Sequence, residues 1–272
     1  MWIISVLVLV PVGWLAVGRD IPDEVSDQLS QRFSDLQAPT QQILAYSFII
    51  GLFVGGTPFH VILRYLATLV HELGHALSAG ILGGRPKQIE IHPSSSGVAT
   101  YQPPLGWGRG RASIVSLAGY PGPAVASLAA VGAMRSGLTA PWFLFVIGTL
   151  AMSILFLIRN LWGFIWTAGV VAAGYFAATE LSTAIVQWTV GVAAGYLAME
   201  GFRHAWQQIQ ITRRFRGSGC DAEKVAMWWG FSPTGVAVFQ LLLVCSAAGW
   251  AGYLAVHQHW DEIIDSVRRW TN

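Results

Sequence analysis

The run His71-Glu72-Leu73-Gly74-His75 lies inside the apolar stretch 60–83, and its reading decides the fold. On a helix, residues four apart share a face, so both imidazoles can point at one metal ion. Glu72 is adjacent but rotated off that axis, where it can take a proton from a metal-bound water. Two His ligands and a neighbouring general base are the equipment of a zinc hydrolase. Three ionisable side chains inside a membrane-length apolar segment are costly and mark function by default.

The rest of the chain agrees with a membrane setting. Only 11% of its 272 residues are charged and 54% are hydrophobic, with a mean hydropathy of +0.52. A soluble domain carries about 25% charged residues. The formal charge of +2 gives no footing for a nucleic acid. Cys220 and Cys245 provide neither a disulfide framework nor a thiolate zinc site.

Apolar length predicts an all-α multi-pass protein with about eight spans, near 1–18, 42–57, 60–83, 112–134, 140–158, 161–179, 182–202 and 232–256. Residues 1–18 also read as a signal peptide, because Ala16-Val17-Gly18 resembles a cleavage site. They lack a basic n-region, so a retained span is expected. The chain divides into an N-terminal span plus acidic segment at 1–41, a core at 42–256 and a tail at 257–272, all one integral-membrane domain. Between Pro86 and Pro103, two extended runs flank Pro93-Ser94-Ser95-Ser96-Gly97, which predicts a β-hairpin after the motif helix. Its edge offers strand pairing to an extended peptide; a plain surface hairpin fits the same residues. Trp166 to Tyr175 resembles Trp188 to Tyr196, and both stretches space small residues for close helix packing.

A catalytic zinc takes three protein ligands and keeps a position for water. His204, His92 and Asn160 are candidates for the third, but each sits in a turn or near a helix end with other uses. Asp221 is preferred. It follows the flexible Gly217-Ser218-Gly219-Cys220 and precedes a helical run ending in Trp228-Trp229. An ordinary helix N-cap is the other reading of Asp221.

The pentad, its continuation Ala76-Leu77-Ser78-Ala79-Gly80 and the Gly83-Gly84 exit together resemble the site-2 protease family of intramembrane zinc metallopeptidases. So do Ala118-Gly119-Tyr120-Pro121-Gly122-Pro123, Arg159-Asn160-Leu161-Trp162-Gly163 and Cys220-Asp221-Ala222. The likeness is to the compact branch without a PDZ domain. It implies zinc on His71, His75 and Asp221, with Glu72 activating the zinc-bound water. It also implies cleavage of a membrane-anchored protein substrate in the lipid bilayer. The N-x-x-P-x-x-x-L-D-G pattern of better-known members is missing, and Asp221 stands in its place. The alternative function is a non-catalytic metal-binding subunit or assembly factor, with membrane-complex partners. Pro121 and Pro123 weaken the fourth span, as a movable gate or a static kink.

Loop charge predicts the orientation. Under the eight-span alternation, the side carrying loops 85–111 and 203–224 collects most of the Lys and Arg, while the other receives only Arg135, Arg268 and Arg269. The positive-inside rule makes the first side cytoplasmic, in the plasma (cell inner) membrane, with the active site towards the cytoplasm. In a background lacking Cys220 and Cys245, Ser95→Cys and Ser218→Cys are expected to resist an impermeant thiol reagent added to intact cells and to label after lysis. Labelling of intact cells would reverse the orientation.

Overall fold

The computed structural model describes residues 41–215 and 217–257. It is helical apart from one hairpin: α1 Gln41–Val54, α2 His60–Ile81, β1 Arg85–Ile91, β2 Gly97–Gln102, α3 Arg109–Ala118, α4 Gly122–Arg135, α5 Thr139–Phe156, α6 Leu161–Glu180, α7 Thr183–Arg214, α8 Asp221–Trp229 and α9 Pro233–Val256. The expected span at 1–18 and the acidic segment after it lie outside the described residues.

Eight spans are not confirmed among the described residues. Three described helices, α5, α6 and α9, are long and apolar enough to cross a bilayer, and a fourth span arises if α3 and α4 are counted as one path bent by 64°. The segment 42–57 forms only a 14-residue helix, about 21 Å long against about 30 Å of hydrocarbon. The 22 residues of α2 include His60, Arg64, His71, Glu72 and His75, which lower its hydropathy. The segment 182–202 is part of a 32-residue helix that continues into Arg213 and Arg214. The chain breaks at Gly119–Pro121, so 112–134 is two helices.

Where the spanning helices pack, their small residues and outward apolar side chains differ in purpose. Under a third of each spanning window is buried, and Leu155, Phe164, Ile165, Tyr175, Phe176, Phe239 and Leu242 are exposed, as a lipid-facing surface requires. The main core joins α1, α4, α7 and α9 through Leu44, Phe48, Val131, Met134, Val190 and Ala251. A second core fixes the motif helix: Tyr65, Leu69 and Leu73 of α2 pack with Ile89 and Ile91 of β1 and Leu150 of α5.

The hairpin matches its sequence prediction: β1 begins at Arg85, one residue before Pro86, and β2 takes in Gly97 of the expected turn. Its strands are antiparallel, with Ile89 opposite Ala99 and Ile91 opposite Gly97, and one irregularity between Pro86 and Gln88. Ser95 adopts a left-handed φ of 62° in the turn. The turn rests on α2, where the Tyr65 hydroxyl donates to Pro93 O (2.8 Å) and Thr68 Oγ1 donates to Ser95 O (2.8 Å). The outer edge of β1 is closed by the α5–α6 connection. Ile89 N–H donates to Leu157 O and Arg159 N–H to Ile89 O, while Asn160 bonds both the N–H and the C=O of Ile91.

Both similar stretches make a close approach: Gly174 in the first lies against the Ile147 side chain, and Gly195 in the second against the backbone of α1. A Cβ on Gly195 would run into Phe48 O, and one on Gly51 into Val192 O, whereas Gly169 faces open space. Gly195→Val is therefore expected to separate α1 from α7 and to cost about 2 kcal/mol by overpacking. Gly169→Ala should be near neutral. Thermal unfolding of the two variants in detergent checks the contrast.

Candidate metal centre

Helix geometry places His71 and His75 on one face of α2, and their Nε2 atoms are 3.1 Å apart. Asp221, 146 positions further along, reaches the same point from α8. Its Oδ2 lies 3.1 Å from His75 Nε2 and 3.6 Å from His71 Nε2. A tetrahedral ion about 2.0–2.1 Å from each donor holds its donors about 3.3 Å apart. The three separations bracket that value, and two imidazoles with one carboxylate are a donor set that zinc accepts. Among the described residues this is the group of His, Cys, Asp and Glu that could hold a metal ion.

Neighbouring groups orient each donor. His75 Nδ1–H donates to Val115 O of α3 at 2.7 Å. A carbonyl only accepts, so the proton is on Nδ1 and the Nε2 lone pair is left for a metal. The His71 ring meets the Tyr120 ring edge-on, with centroids 4.7 Å apart. Lys224 Nζ holds Asp221 Oδ1 at 3.0 Å, which leaves Oδ2 to face the imidazoles. Asp221 is the first residue of α8; Cys220 occupies the cap position and makes no side-chain cap bond. The connection before it is closed by Glu223, which accepts from Gly217 N, Gly219 N and Ser218 Oγ. The backbone N–H of Gly217, then that of Gly219, pull the Glu223 carboxyl below its usual range. α8 is tied to α3 by Arg109 to Trp228 O (3.0 Å) and by Trp229 Nε1 to Ser113 Oγ (2.8 Å).

Two glycines make room for the site. A Cβ on Gly119 would fall on His75 Nε2 and within 2.7 Å of His71 Nε2, in the space a metal would use. A Cβ on Gly97 of β2 would come 2.7 Å from both Glu72 Cγ and Oε1. Glu72 is buried and receives a hydrogen bond from the Ala99 backbone. Gly74, inside the pentad, lets the Ala118 carbonyl approach α2 to within 2.7 Å of where a Cβ would be. The site opens into a cavity of about 220 Å³ between α2, the hairpin turn and α7, lined by His71, Glu72, Gly97, Tyr120, His204 and Gln208 among others.

The other sequence candidates do not join the three donors. His92 is half exposed and stands 3.8 Å from Glu90. Asn160 is spent on Ile91. His204 lines the cavity but pairs with Glu200, at 3.3 Å. Sequence reasoning passed over Gly119 and Gly97 as site residues, and also over Glu200 and the α7 wall. The one available signal was the i, i+4 spacing of Glu200, His204 and Gln208 along one helix.

The model of the Peptidase M50B-like family matches residues 43–256. No curated protein and no solved structure matches the chain.

The wild-type chain is expected to carry one zinc ion after purification, and His75→Ala to lose it. Gly119→Ala should lose it too, with the three donors intact, because its methyl group occupies the metal's position. Elemental analysis per mole of protein checks both; undiminished zinc in Gly119→Ala would move the ion elsewhere.

Proposed function

The chain belongs to the Peptidase M50B-like family, and from that premise we propose that it is an intramembrane zinc metalloprotease acting on membrane-anchored proteins. The observation that carries this reading is the meeting of His71, His75 and Asp221 beside a buried Glu72. His71, His75 and Asp221 would hold the ion. Zinc at that point would supply Lewis-acid polarisation of the scissile carbonyl and would lower the pKa of water.

The protein's own residues would do the rest. Glu72 takes a proton from the attacking water and returns it to the amine that leaves, so one water and one peptide bond become a carboxyl and an amine. A helical peptide bond is shielded by its own hydrogen bonds, so the substrate must be extended to react. The hairpin offers an edge for that. β1 is paired on both sides, with β2 and with Ile158. Among the described residues β2 has no second strand, and it passes directly over Glu72 at Gly97. A substrate strand added to β2 would be satisfied by main-chain hydrogen bonds next to the catalytic carboxylate. The basic loops favour a site open to the cytoplasm.

Cleavage is tested with purified chain in proteoliposomes and a panel of single-span peptides whose membrane helices are weakened by Gly and Pro. Glu72→Gln is expected to keep zinc and stop cleavage, since an amide of nearly the same shape cannot take the proton. Asp221→Ala should weaken zinc binding by several kcal/mol, in the range of about 3–5 for breaking a buried charge pair. A Glu72→Gln chain that cleaves as wild type does would overturn the assignment of the base. Failure of the wild type to cleave any peptide would favour the assembly role.

A further inference from the structure

The side of the cavity opposite the pentad is built by α7, with His204, Gln207, Gln208 and Ile211 at helical spacing on one face. Below them on the same stripe lies Glu200, only 4% exposed. Its two oxygens have separate neighbours. Oε2 faces Arg203 Nη1 at 3.4 Å and His60 Nδ1 at 3.9 Å, and Oε1 faces His204 Nε2 at 3.3 Å. A carboxylate only accepts, so Nε2 of His204 carries the proton that points at Glu200. His204 Nδ1 has no hydrogen-bond partner among the described residues. A buried carboxylate thus orients an imidazole whose ring is partly open to the cavity that also contains His71 and Glu72.

We propose that His204 is a further catalytic residue, and that it hydrogen-bonds the carbonyl oxygen of the scissile peptide as that oxygen gains charge. This rests on the proteolytic reading above. When water adds to the carbonyl carbon, a C–O bond forms and the carbonyl π pair moves onto its oxygen; Glu72 receives the water's proton. His204 donates Nδ1–H to that oxygen while its Nε2–H stays directed at Glu200 Oε1, and neither proton leaves the ring. Glu200 is a positioning residue: its Oε1 fixes the ring. Donors aimed at a developing oxyanion in a site shielded from water commonly govern about 10²–10³ of kcat.

The same proteoliposome assay tests this, with kcat and KM measured separately and zinc content and thermal midpoint recorded for each variant. His204→Ala is expected to lose about 100-fold in kcat with KM, zinc and stability little changed. His204→Gln, which keeps an N–H donor of similar reach, should recover part of that loss. Glu200→Gln should lower kcat less than His204→Ala does. Unchanged kcat in a folded, zinc-loaded His204→Ala overturns the inference and leaves the proteolytic reading standing. A rise in KM alone also overturns it, and so does equal loss in His204→Ala and His204→Gln. A wild type that holds zinc and cleaves nothing overturns both readings.

Discussion

Two imidazoles and a carboxylate share one small volume between α2 and α8, and the surrounding structure is arranged to permit it. Burying a carboxylate costs several kcal/mol unless it is paired and hydrogen-bonded. Asp221 divides its oxygens between Lys224 and the two histidines. The two elements are far apart in sequence, so their meeting depends on a third. α3 serves this purpose: Val115 bonds His75, while Arg109 and Ser113 bond the far end of α8. The bend after α3 then passes the donors at a residue with no side chain. Gly74 and Gly119 let backbone approach where any Cβ would intrude. Pro121 and Pro123 impose the break between α3 and α4, and it falls where Gly119 meets the donors.

Polar and apolar helices divide the work. α5, α6 and α9 are apolar and mostly uncovered, and their exposed aliphatic and aromatic side chains suit lipid. α2 and α7 carry polar and ionisable groups that turn inward: Glu72, His75, Glu200 and Gln208 are all buried. Hydrocarbon penalises an unpaired charge heavily, so the functional helices must be shielded by others. This division explains why hydropathy alone gives a poor count of spans.

The legible parts of the sequence were those set by short-range spacing. The pentad required only i, i+4 geometry, and the hairpin required only two extended runs around a turn. Asp221 was readable because a glycine-rich entry and a Trp pair flank it, although its distance from the pentad rested on no periodic signal. Span boundaries were less legible. Length and hydropathy do not report the bend at Gly119–Pro121 or the continuation of α7 to Arg214. The roles of Gly119 and Gly97 were illegible for a different reason. A glycine that exists to leave space is defined by what lies opposite it, and that neighbour comes from another element.

The hairpin adds a constraint that connects fold to chemistry. β1 is held on both edges, so it is rigid and cannot accept a further strand. Ile89 turns its N–H and C=O outward to Leu157 and Arg159. Ile89 and Ala99 face each other as a pair that does not exchange hydrogen bonds, so Ala99 also directs its own groups away from β1. The Ala99 N–H accordingly meets the Glu72 carboxylate. Alternation along a strand then turns the main-chain groups of Gly97 and Tyr101 to the same side as those of Ala99. On the proteolytic reading, an extended segment approaching this edge would find its hydrogen-bonding partners beside Glu72. A helical segment finds none, because its N–H and C=O groups are already paired along its own axis. On that reading the edge would select for an unwound chain and bring it to the cavity that Gly97, Glu72 and His204 line.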